Sequence, residues 1–126
     1  MSNKVELEKI KNNKAFRIKN WSDKNERRVF IDIDAKDNVK CADFMFNEMH
    51  ARFATASVVE LDDGFDLIYH FELKESKVIF NAKMKIKNKK KPEIEAITPL
   101  VPVANFIERE ISEMFGISFK NHPEME

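Results

Sequence analysis

From Arg28 to Asp34 the chain reads "RVFIDID", with Val29, Ile31 and Ile33 on one side. A repeat of two marks a strand with one buried face. Asp34 or Asp37 then offers a helix N-cap. From about Lys36 to Phe53 the spacing turns helical through Val39, Ala42, Phe46, Met49 and Phe53, with Cys41 and Met45 toward the flanks of that stripe. Residues 4–13 alternate weakly, with Val5, Leu7 and Ile10, and suit a short helix.

Strand patterning returns at "ASVVEL", Ala56 to Leu61, and Asp62-Asp63-Gly64 follows as a turn. "FDLIYHFEL" then sets Phe65, Leu67, Tyr69, Phe71 and Leu73 on one face. After Lys74-Glu75-Ser76, "KVIFNAKMKIK" sets Val78, Phe80, Ala82, Met84 and Ile86 inward and Lys77, Lys83, Lys85 and Lys87 outward. These two strands predict a hairpin with one packed and one solvated face. Lys89-Lys90-Lys91-Pro92 interrupts the sheet, and a short strand is expected over about Glu93 to Ile97. Pro102 suits the first turn of a helix running to about Phe115, and Gly116 suits the position just past its end. On a wheel of about 100° per residue, Val103, Ile107, Ile111 and Met114 make that helix's apolar stripe, extended by Phe115. The order predicts one α+β domain over residues 1–126, a mostly antiparallel sheet with helices on one face.

Composition narrows the function. The chain has 126 residues, 43% of them hydrophobic, including 11 Phe, enough for one packed core. Its 22 basic and 22 acidic residues cancel, unlike a generic nucleic-acid binder. The one cysteine, Cys41, forms no internal disulfide and cannot supply the four thiolates an iron–sulfur cluster takes, which suits a reducing compartment. It is expected to be a small, half-buried apolar residue rather than a nucleophile. "MSNKVELEKIKNNK" is too charged for a signal peptide, and no run reaches the ~20 apolar residues of a membrane helix.

Candidate chemistry is sparse. His50, His70 and His122 lack His or Cys partners at metal-ligand spacing. With only Gly64 and Gly116 there is no phosphate-cradling loop or dinucleotide fingerprint. The outward lysines of 77–91 read as a solvated strand face offset by Asp66, His70 and Glu72, or as a basic binding face. Within "ANFIEREISEMFGISFKNHP", Glu110 and Glu113 share a side with Phe106 while Arg109 points elsewhere. Two carboxylates would suit general acid/base work in a stand-alone enzyme. The plainer alternative is ordinary helix charge, with Arg109 and Glu113 paired four residues apart.

The same stretch resembles a known family. Glu108-Arg109-Glu110, Ile111-Ser112, Glu113, Met114-Phe115 and then His122 resemble the signature of the 30 kDa subunit family of respiratory NADH:quinone oxidoreductase. Pro99 and Pro102 before it, and Gly116-Ile117, Phe119 and His122-Pro123 after it, also fit. "FDLIYHFEL" and "ARFATASVVELDDG" resemble family segments upstream, so the likeness spans roughly Ala51 to Pro123. Glu126 stands where the family has a basic residue, and the compact length resembles the short counterpart in Ech-type energy-converting nickel–iron hydrogenases. The resemblance implies an accessory subunit with no cofactor, metal or catalytic residue of its own. Its partners would be a large nickel–iron hydrogenase subunit, or its quinone-reductase homologue, and neighbouring iron–sulfur subunits. It would lie at the cytoplasmic face of the membrane, touching the membrane only through the complex. A short 30 kDa-type subunit of an NADH or other quinone oxidoreductase is the alternative. On this reading the partner interface comprises Phe106, Glu108, Arg109, Glu110, Glu113, Phe115, His122 and Pro123.

Overall fold

The computed structural model describes residues 2–125, so Glu126, set against a basic residue of the family, lies outside the described residues. Helix α1 (Ser2–Lys11) precedes a hairpin of β1 (Asn20–Asn25) and β2 (Arg28–Asp32). A 3-10 turn (Ala35–Asp37), helix α2 (Asn38–Asp43) and a π-helical turn (Phe44–Glu48) follow without a break. Then come β3 (Arg52–Leu61), β4 (Gly64–Glu72), β5 (Ile79–Lys87) and the short β6 (Glu93–Glu95). A 3-10 turn at Pro102–Ala104 opens α3 (Asn105–Phe115), and β7 (Ser118–Lys120) closes the chain.

The main sheet has the order β1-β2-β5-β4-β3. Only the β2–β5 pair is parallel; the other three pairs are antiparallel. The expected hairpin forms between β4 and β5, with Phe71 opposite Phe80 and Leu67 opposite Met84. Its inner face is continuous with Val29 and Ile31 of β2, and these residues share one core with Ile10, Cys41, Ala42, Met45 and Ile111. That places all three helices on the same side of the sheet. Aromatic edges lock the core: Phe53 meets Tyr69 and Phe71 at 5.9 and 5.6 Å between ring centroids. Gly64 is required where β3 turns into β4, because a Cβ there would stand 2.2 Å from the Ile86 carbonyl oxygen.

Several expectations shift. The helix expected to reach Phe53 ends at Glu48, in a π turn, and His50 then takes a left-handed φ of 55°. Phe53 belongs to β3, so its match to the helical stripe is coincidence. Cys41 and Met45, expected at the flanks, are buried along with Ala42 and Met49 of the expected stripe, whereas Val39 and Phe46 are half-buried. Burial also pushes the Cys41 thiol far above its ordinary range. β1 is absent from the expected elements: its sequence, NWSDKN, is nearly all polar, and only Trp21 reaches inward, to Phe80. The strand at 93–95 does not rejoin the main sheet. It pairs in parallel with β7, Ile94 opposite Phe119, in a separate two-stranded sheet. β6, α3 and β7 therefore form a parallel crossover that fixes both ends of α3.

Candidate functional site

α3 turns faces of opposite chemistry inward and outward. It ends as its sequence dictates: Gly116 sits at φ 72°, and its N–H bonds the Ser112 carbonyl at 2.9 Å. The inward residues here are Ala104, Glu108 and Ile111, with Ile107 and Phe115 half-buried. Phe115 packs edge-on against Phe65 at 5.9 Å.

Glu108 is 0% exposed. Oε2 accepts from the Tyr69 hydroxyl and the Ile97 N–H, both at 2.9 Å. Oε1 accepts from the Thr98 hydroxyl at 2.7 Å and the Thr98 N–H at 3.3 Å. Four donors on one carboxyl replace its hydration, which is how so polar a group survives burial. Burial first, and then the adjacent Glu108 carboxylate, hold the Tyr69 phenol well above its ordinary range. The knot joins α3 to β4 and to the 97–101 turn, where the Leu100 and Val101 N–H groups bond back to the Ile97 carbonyl. The expectation that Glu108 lies at the partner surface is corrected: it is a buried internal tie, because its four donors converge from the protein side.

The outward face carries Val103 at 65%, Phe106 at 72% and Met114 at 70% exposure. The expected apolar stripe of Val103, Ile107, Ile111 and Met114 is thus rotated: two of its four members face solvent. The first turn is 3-10, with about three residues per turn, which shifts the phase of Val103. Burial of Glu108 then draws the inward face away from Met114. Glu110 and Glu113 are exposed beside Phe106, with no hydrogen-bond or ion-pair partner among the described residues. Arg109 is also exposed. It does not pair with Glu113; its Nη1 lies 3.3 Å from Glu124 Oε1. The Asn105 side-chain amide donates to Glu124 Oε2 at 2.9 Å.

His122 is 5% exposed and anchors the tail, while Pro123 lies at the surface. The Glu124 N–H donates to His122 Nδ1 at 3.1 Å, which leaves the proton of the neutral ring on Nε2. Of the expected interface set, the structure brings Phe106, Arg109, Glu110 and Glu113 to one exposed face and turns Glu108, Phe115 and His122 inward. Sequence reasoning missed Tyr69, Thr98, Asn105 and Glu124. Asn105 and Arg109 stand four apart, a visible spacing, but nothing local points to a tail carboxylate.

Elsewhere, Lys83 lies 3.7 Å from Asp32, Lys85 3.0 Å from Asp63 and Lys89 2.7 Å from Glu60, while Asp66 stands opposite Lys85 in the sheet. Among the described residues no cluster of His, Cys, Asp or Glu is placed to hold a metal ion. No described helix is long and apolar enough to cross a membrane.

This is a small α+β domain whose most conspicuous surface is a helix face with apolar and acidic groups interleaved. The chain belongs to the family of the respiratory-chain NADH dehydrogenase 30 kDa subunit, whose model matches residues 31–126. The corresponding subunit of the NADH-quinone oxidoreductase of Francisella tularensis subsp. holarctica (strain FTNF002-00 / FTA) is 37% identical over 73 residues, covering 58% of this chain and 32% of that protein. The counterpart from Ruegeria pomeroyi is 28% identical over 102 residues, 75% of this chain and 50% of that one. The chain thus spans a third to a half of the length of these relatives. In fold it is similar to the trypsin-resistant fragment (1–134) of Nqo5, with TM-score 0.74 and 18% identity over 99% of this chain and 100% of that one. It is also similar to a chain of the membrane-bound sulfane sulfur reductase, an archaeal respiratory membrane complex, with TM-score 0.73 and 20% identity over 99% of this chain and 74% of that one.

Proposed function

We propose that the chain is a non-catalytic subunit of a membrane-associated oxidoreductase complex and docks on its neighbour through the exposed face of α3. The observation that carries this reading is the run of Val103, Phe106 and Met114 in the open, interleaved with Glu110 and Glu113, which have no partner among the described residues. Exposed aromatic and Met side chains clustered on one helix face mark a surface that is covered in use. The unpaired carboxylates would set register against basic groups on the partner. Membership of the family supports other subunits of such a complex as partners; on this reading the one met by α3 is the large subunit, with iron–sulfur subunits beside it. In an energy-converting hydrogenase that large subunit holds nickel and iron; in a quinone reductase it is the homologue without them. The relatives from Francisella and Ruegeria favour the quinone reductase, and the hydrogenase is the second reading. In either case the protein holds no cofactor and sits at the cytoplasmic face of the membrane through its partners. An enzyme built on Glu110 and Glu113 is less well supported, since both lie open to solvent with no third group positioned against them.

Purification of the tagged chain from membranes of its own host, in mild detergent, tests the proposal. The expected result is co-elution of a large oxidoreductase subunit and iron–sulfur subunits, with nickel content separating the two complex types. Recovery of the chain alone, in the soluble fraction, would overturn it.

A further inference from the structure

Arg109, on the exposed side of α3, is occupied by the segment that follows His122. The Glu124 carboxylate spans the Asn105 amide at 2.9 Å and the Arg109 guanidinium at 3.3 Å. Asn105 and Arg109 lie one turn apart on one side of the helix and form a two-point carboxylate receptor. The tail reaches it through a turn that begins at Asn121, with φ 64°, and is pinned by buried His122.

The seating is weak. The Arg109 and Glu124 side chains are 50% and 55% exposed, and an ion pair that wet is weak. The same receptor, desolvated against another protein, would hold a carboxylate more strongly.

We infer that Glu124 occupies in cis a carboxylate site that an acidic side chain of the partner takes in trans when the complex assembles. The inference rests on the docking proposal above for its partner, but the carboxylate specificity rests on Asn105 and Arg109 alone. Displacing the segment after His122 frees the Arg109 guanidinium at the border of the Phe106 face, so the basic and apolar parts of the surface become available together. The partner would then present an Asp or Glu against Arg109, and basic groups against Glu110 and Glu113.

Two measurements separate this inference from the docking proposal. The full chain is titrated with N-acetylglutamate N-methylamide, and with its glutamine analogue as control, while the Arg109 and Asn105 side-chain NMR signals are followed. Glu124→Gln is expected to bind the acidic probe about two- to fivefold more tightly than the unaltered chain, the range that losing one exposed competing pair supports. Arg109→Ala is expected to bind neither probe. Equal affinity in the unaltered chain and Glu124→Gln would overturn the inference, as would binding of the glutamine analogue as tightly as the acid. In the second measurement, the salt concentration that strips the chain from its complex is expected to rise for Glu124→Gln and fall for Arg109→Ala. A fall for both would show that the tail pair is itself part of the interface and would overturn the exchange. If no complex forms with the unaltered chain, the docking proposal fails while the probe titration still decides the receptor.

Discussion

The β4–β5 hairpin and α3 treat the same chemistry in opposite ways. In the hairpin the apolar side chains Phe65, Leu67, Tyr69, Phe71, Phe80, Ala82, Met84 and Ile86 are buried, while Lys83 and Lys85 are exposed. In α3 a glutamate is the most buried residue, and a phenylalanine and a methionine are among the most exposed. The hairpin's sequence has only to build a sheet that covers the core. The helix has to hold a turn in place from within and, on the docking proposal, present a surface to a partner. Departures from the apolar-inside pattern therefore concentrate where internal ties and recognition meet.

Removing the inner tie should have the largest effect. Glu108→Ala leaves four donors without an acceptor and should destabilise the fold by about 3–5 kcal/mol, read from denaturant midpoints. A loss under about 1 kcal/mol would mean that water replaces the carboxylate and that the tie is dispensable. On the outer face, Phe106→Ala should leave the stability of the isolated chain within about 0.5 kcal/mol. The same change should weaken assembly by about 2 kcal/mol or more, roughly thirtyfold. Equal losses in both measurements would place Phe106 in the fold rather than at an interface.

A smaller effect tests the helix end that fixes which face points where. Gly116→Ala must hold a left-handed φ with a Cβ present and should lower stability by about 1 kcal/mol. Its added Cβ meets nothing within 4 Å, so steric clash is not the source of that loss. The smallest effect concerns a second buried carboxylate. Burial pushes the Glu6 carboxyl up, but the Glu75 and Ser76 N–H donors outweigh it and hold it below its ordinary 4.5. A carboxyl depressed by folding adds stability above that pH and loses it as pH falls through the folded value. Glu6→Gln should therefore lower stability at pH 7, where the carboxylate's contribution is fully present, and flatten the fall below about pH 4.5, where the unaltered chain loses it too. An unchanged acid limb would show that the contact does not persist in solution.

Much of the fold is readable in the sequence, and what stays hidden has identifiable causes. The hairpin is legible because its period of two runs through nearly all of both strands. The span of α3 is legible because Pro102 and Gly116 act locally on φ and on the backbone donor. β1 is not, since an edge strand with five polar residues in six has no apolar alternation to show. The true end of α2 is hidden because a π turn and a left-handed His50 leave little sequence trace. The exposed group of Phe106, Glu110 and Glu113 can be read from helical spacing. The orientation of Glu108 cannot: its donors come from Tyr69, 39 positions away, and from the 97–98 turn. The capture of Arg109 by Glu124 has the same obstacle, a partner supplied by tertiary structure.

The central claim is that the outward face of α3, not the open face of the sheet, meets the rest of the complex. A photo-crosslinking residue placed at Phe106, and separately at the exposed Phe30 of β2, tests it in the native host. The expected result is an adduct with an oxidoreductase subunit from position 106 and none from position 30. An adduct from position 30 with none from position 106 would contradict the account.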